Sequence, residues 1–99
     1  MNNTIISEGV LAPGANTIVT VSNPNSGASI SFIRVTSTSV NTVTLELVRA
    51  SGTKKIYSFT LAAGDVLTDS TPYGLKNGDS LVITTTAAST DYEVYGYIS

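Results

Sequence analysis

The chain has 99 residues, a formal net charge of −2, and neither cysteine nor histidine. Without cysteine there is no disulfide, thiolate nucleophile or thiolate metal site, and without histidine the commonest general base and metal ligand are gone. Thirteen Ser and fifteen Thr make up 28 of the residues while charged residues are only 12%, against roughly a quarter in an average soluble domain.

Ninety-nine residues fit one domain, spanning 1–99, and a chain of that size buries roughly two thirds of its unfolded surface. Arg34, Arg49, Lys54, Lys55 and Lys76 are scattered and form no basic stripe, which argues against nucleic-acid binding. The opening Met1–Glu8 lacks the basic and apolar regions of a signal peptide. No apolar run approaches the ~20 residues that span a bilayer, so no membrane partner is expected and synthesis in the cytoplasm is. Thr is β-branched and favours strands while tolerating water on one face.

In chain order, Thr4–Glu8 reads as a short strand ended by Gly9, with a turn at Leu11-Ala12-Pro13-Gly14. Thr17–Ser22 sets Val19 and Val21 against Ile18 and Thr20, and Asn23-Pro24-Asn25-Ser26-Gly27 is a turn cluster. In Ser29–Thr38, Ile30 and Phe32 share one face and Ile33 and Val35 the other. This change of phase predicts a bulge or a strand buried on both sides. Asn41–Arg49 points Val43, Leu45 and Leu47 one way, and Lys55–Leu61 does the same with Tyr57, Phe59 and Leu61. With Ser51-Gly52-Thr53 between them, these runs predict a hairpin.

Leu61-Ala62-Ala63-Gly64-Asp65 and Leu75-Lys76-Asn77-Gly78-Asp79 share a pattern, with Leu11-Ala12-Pro13-Gly14-Ala15 a weaker third copy. Leu anchors each, Gly accepts positive φ, and the Asp carboxylate can accept backbone N–H groups. They predict a recurring corner between strands. Val66–Thr68 is a short extended piece, Thr71-Pro72-Tyr73-Gly74 a bend, Ser80–Thr86 a strand with Leu81 and Ile83 on one face, and Asp91–Ser99 the last strand. That strand carries Tyr92, Val94, Gly96 and Ile98 on one face and Asp91, Glu93, Tyr95 and Tyr97 on the other. The pattern predicts an all-β fold: a single antiparallel β-sandwich of seven to eight strands, jelly-roll or immunoglobulin-like.

Candidate chemistry is sparse. Asp91 and Glu93 share a strand face, an arrangement that serves acid/base work in glycosidases but also a solvated face that discourages edge pairing. Asp65, Asp69 and Asp79 raise calcium binding, yet they are dispersed and read better as turn caps. A serine nucleophile lacks its usual histidine activator. Catalytic residues, metals and cofactors are therefore not expected. Tyr95 and Tyr97, on the more polar face of the last strand, are candidate contacts for a sugar or another subunit. Tyr73, in the 71–74 bend, is a third.

Four segments carry a resemblance. Ser58-Phe59-Thr60-Leu61-Ala62-Ala63-Gly64-Asp65-Val66-Leu67 is followed by Gly74-Leu75-Lys76-Asn77-Gly78-Asp79-Ser80-Leu81-Val82-Ile83. Leu11–Val21 opens the chain and Val94-Tyr95-Gly96-Tyr97-Ile98 closes it. Together these resemble small virion proteins of tailed bacteriophages, which join hydroxyl-rich strands through L-x-x-G-D corners. The resemblance implies a non-enzymatic structural role in the virion, as capsid decoration or a neck–tail component. It also implies assembly as a homo-oligomer, in rings or trimers, against partners such as the major capsid protein. A positive mean hydropathy fits surface buried between subunits. The other reading is a carbohydrate- or cell-surface-binding module.

Overall fold

The computed structural model describes residues 4–23, 25–88 and 90–98, with Thr53 and Lys55 described by backbone alone. Pro24 of the expected 23–27 turn, Ser99 of the last strand and the Met1–Asn3 opening lie outside the described residues. Among the described residues nine strands form: β1 (Thr4–Leu11), β2 (Gly14–Thr20), β3 (Ala28–Ser37), β4 (Asn41–Arg49), β5 (Gly52–Leu61), β6 (Val66–Asp69), β7 (Tyr73–Leu75), β8 (Ser80–Thr85) and β9 (Thr90–Ile98).

The strands pair in nested fashion. β1 pairs β9, β2 pairs β8, β3 pairs both β6 and β7, and β4 pairs β5, all antiparallel. β9 also pairs β3, and β8 pairs β4, giving the sheets β1-β9-β3-β6 (with β7 on β3) and β2-β8-β4-β5. A long hairpin folded onto itself in two sheets is a jelly roll. An immunoglobulin sandwich keeps its first two strands in one sheet, whereas here β1 and β2 lie in different sheets. The sandwich has nine strands where seven to eight were expected, because Tyr73 and Gly74, predicted as part of a bend, join β7 on the ladder of β3. The β4–β5 hairpin also turns tighter than predicted: Arg49 pairs Gly52, so the connection is Ala50-Ser51.

The core forms where the two sheets face each other. Ile30, Ile33, Val35, Val43, Leu45, Leu81, Ile83 and Val94 are fully buried, each contributing roughly 1.5–3 kcal/mol by leaving water. Alternation along β4 places Val43, Leu45 and Leu47 inward, as expected.

The three Leu-x-x-Gly segments each carry the chain from one sheet to the other. Leu11, Leu61 and Leu75 are buried anchors. Gly64 and Gly78 take φ of 85° and 91°, which a side chain would oppose. In each of those two corners the Asp carboxylate accepts the N–H three residues back, Asp65 from Ala62 at 3.1 Å and Asp79 from Lys76 at 2.9 Å. The weaker copy substitutes Asn16, whose Oδ1 accepts from Ala12 N at 3.2 Å while its Nδ2 donates to Ala12 O at 2.8 Å.

The phase change in β3 is a bulge at Ser31: Ile30 pairs Gly96 and Phe32 pairs Tyr95. The extra residue separates Ile30 and Phe32, which were expected on one face. Ile30 turns into the core and Phe32 meets Tyr95 on the outside. Three edge strands carry bulges of the same kind, and each bulged residue is an isoleucine packed against the core: Ile6 in β1, Ile18 in β2 and Ile56 in β5. Gly96 leaves room for one of them. A Cβ there would lie 2.8 Å from the Ile6 δ-methyl and would overlap the Ser29 carbonyl oxygen. β1 itself continues through Gly9, expected to end it, to Leu11. Gly9 stays paired opposite Tyr92, whose ring lies over the space a side chain would occupy.

Candidate functional site

β1, β9 and β3 together present an outer face, turned away from the second sheet. Cross-strand register brings Ile5 and Phe32 to either side of Tyr95, and sets Glu8 and Arg34 to either side of Glu93. Tyr95 is half-buried, its ring edge-on to Phe32 with centroids 5.8 Å apart, the tilted geometry aromatic quadrupoles prefer. Its hydroxyl donates to Glu93 Oε2 at 3.1 Å, and Arg34 Nε lies 3.3 Å from Glu93 Oε1. The Glu93 carboxylate, by accepting that hydrogen bond, raises the Tyr95 phenol above its ordinary value. Tyr97 is 43% exposed, beside Ile98 and Ile5.

Tyr95 and Tyr97 therefore share the outward face that alternation assigned them. Tyr73 does not join them. It pairs Ile30 across the other side of β3, packs against the core, and donates its hydroxyl to Asp69 Oδ2 at 2.6 Å. Burial first, and this bond next, push its phenol up to about 12. Tyr57, stacked on Phe59 at 5.4 Å, reaches the same carboxylate, and burial raises its phenol further still. Burial acts to raise the Asp69 carboxyl, but hydrogen bonds from Tyr73 and Thr71 outweigh it and hold the group below its ordinary value. This cluster joins β5, on the edge of one sheet, to β6 and β7, on the edge of the other.

Asp91 and Glu93 do share the outer face, with Glu8 directly opposite Glu93. Glu93 is occupied by Arg34 and Tyr95, while Asp91 stands exposed. Asp65, Asp69 and Asp79 each work in their own turn. Asp65 caps Ala62, Asp69 takes the N–H of Thr71 and the Tyr73 hydroxyl, and Asp79 takes Lys76 N and Arg49 Nη1 at 2.7 Å. Among the described residues no group of three or more acidic side chains is placed to hold a metal ion.

Sequence reasoning missed Glu8, Val10, Phe32 and Arg34 on this face, because register alone brings them to β9. The phase break at Ser31 was the available signal for Phe32.

No protein-family model matches this chain. No curated protein matches it either. Among solved structures, a chain from the structure of infectious bursal disease virus, Gt strain, aligns over 98% of this chain and 30% of its own length, at 16% identity and a TM-score of 0.32. This chain thus spans under a third of that one.

Proposed function

We propose that this chain is a non-enzymatic structural protein of a virion. In this reading it assembles with copies of itself and seats on other virion proteins, such as the major capsid protein of a tailed bacteriophage, as capsid decoration or a neck–tail component. The nested strand pairing carries the reading. Jelly rolls build viral capsid domains, and the inference is one of fold-level analogy. The chemistry of the chain agrees with it. There is no imidazole or thiol, and Glu93, Asp65, Asp69 and Asp79 are committed to hydrogen bonds that hold the fold. The reading calls for no cofactor, nucleic acid or membrane.

The test is co-purification with particles through a density gradient, paired with light scattering of the isolated protein. A species that is monomeric at every concentration and never sediments with particles overturns the proposal.

A second reading is favoured by one observation, the exposure of Tyr97 at the rim of the outer face. Jelly rolls also serve as lectin domains, and a tyrosine ring can stack on a sugar. Glycan binding abolished by Tyr95→Ala and Tyr97→Ala establishes this function instead.

A further inference from the structure

The ends of the sandwich differ in charge. One end carries Ala28, Leu75 and Ile98, in register, with the β4–β5 turn held beside them by Arg49, which donates to Gly74 O and Asp79 Oδ2. The other end carries Ser37, Thr90 and Leu11, in register, with Asn41 bonded to Ser37 and Thr90.

Two ion pairs remove four charges: Arg34 with Glu93 and Arg49 with Asp79. Of the charges left, exposed Lys54 and Lys76 lie at the first end, beside the β4–β5 turn and in the β7–β8 corner. Exposed Glu8, Asp65 and Asp91 lie towards the second. Glu46 pairs in register with Lys55 along the second sheet, and Asp69 is bound under Tyr73.

Exposed apolar side chains divide the same way. Ile5, Tyr97 and Ile98 lie at the basic end; Val10, Val40 and Val66 lie at the acidic end. Each end thus carries exposed apolar side chains together with charges of one sign, the two signs being opposite; at the acidic end Asp91 and Thr36 stand in register between Val10 and Val66.

We infer that copies of this chain associate end to end, the basic end of one copy, with Lys54, Lys76, Ile5, Tyr97 and Ile98, meeting the acidic end of the next, with Glu8, Asp91, Val10, Val40 and Val66. The inference rests on the homo-oligomeric reading above and deepens it. A contact between unlike ends is heterologous, so it closes into a ring or continues as a filament. Like ends in a two-fold contact would oppose like charges, which complementary interfaces avoid.

Sedimentation velocity over a range of protein and salt concentrations tests it. The variants are Lys54→Glu with Lys76→Glu, and Glu8→Lys with Asp91→Lys. The unsubstituted protein associates, and salt weakens the association. Each double variant alone associates at least about tenfold more weakly, and mixing the two restores association, because each then offers the end the other has lost. An oligomer indifferent to either swap, or swaps that dissociate and do not complement, overturns the end-to-end contact while leaving homo-oligomerisation standing. A wild-type monomer at every concentration removes both. Thermal unfolding of each variant verifies the fold. Should a double variant unfold early, Lys76→Glu and Asp91→Lys carry the same test singly.

Discussion

Asn41 and Thr90 lie 49 positions apart, and the Asn41 amide donates to the Thr90 hydroxyl at 2.7 Å in the buried interior. The same amide donates to Ser37 Oγ at 3.3 Å, and its carbonyl oxygen accepts from Thr86 N at 3.0 Å and Thr86 Oγ1 at 3.3 Å. The Thr90 hydroxyl in turn donates a hydrogen bond to Ala87 O. One side chain thereby ties the β3–β4 connection to the β8–β9 connection, with its hydrogen-bonding capacity filled.

Asn41→Leu takes the acceptor from Thr86 N–H and leaves the buried Thr90 and Ser37 hydroxyls without the donor they share. An orphaned buried polar group costs about 1–3 kcal/mol. The variant is expected to unfold at a thermal midpoint lower by roughly 8–15 °C, at about 4–8 °C per kcal/mol for a domain of this size. Calorimetry checks the value, and an unchanged midpoint would contradict the network.

Gly96→Ala tests the close approach of β9 to Ser29 and Ile6. The obstacle at Ser29 is backbone, so it cannot swing aside. Overpacking of this kind costs typically 1–3 kcal/mol, occasionally more. Ile6→Ala in the same chain does not restore the loss, since the Ser29 carbonyl stays in place. Gly74→Ala is the control. Nothing lies within 4 Å of a Cβ there, so a change within about 0.5 kcal/mol is expected in urea unfolding.

The Asp79 carboxyl is held below its ordinary value of 3.8 by the Lys76 N–H first and by Arg49 next. A group whose folded pKa is depressed contributes stability that is present above the unfolded pKa. That contribution is lost as pH falls through the ordinary carboxylate range towards the folded value. Thermal midpoints measured between about pH 5 and pH 2 should therefore fall less steeply in Asp79→Asn than in the parent. Parallel slopes would refute the role given to Asp79.

Tyr57 and Tyr73 predict behaviour at the alkaline end. Both phenols are raised above 10.0 in the folded chain, Tyr73 to about 12. The unfolded chain ionises these groups first, so stability falls as pH rises above that ordinary value. Ultraviolet titration should show phenolate absorbance from these two appearing late and together with loss of the fold. Tyr73→Phe removes one of the two raised phenols, so its stability should fall less steeply with rising pH than that of the parent.

Strand alternation was legible wherever apolar residues kept a period of two: β4 runs from Asn41 to Arg49 as expected, and Tyr95 and Tyr97 face outward. The Leu-x-x-Gly-Asp corners were legible because their chemistry is local, a glycine with positive φ and a carboxylate three residues from the N–H it accepts. Strand partners were not, because pairing β1 with β9 is set by contacts across the whole chain. For the same reason the neighbours of Tyr95 and Glu93 could not be read. Asn41 stood at the start of a strand, where an amide ordinarily meets water, and only the fold brings Ser37, Thr86 and Thr90 to it.

The bulged isoleucines have a consequence for how this protein keeps to itself. A strand approaching the rim of either sheet needs an unbroken row of amides and carbonyls to zip against, and an extra residue spoils the spacing of that row. Ile6, Ile18 and Ile56 interrupt β1, β2 and β5, and the remaining rim is cut into the short β6 and β7. With so few charges to repel a neighbour, geometry supplies the protection against fibrous stacking, and contact between molecules is left to surfaces other than their margins.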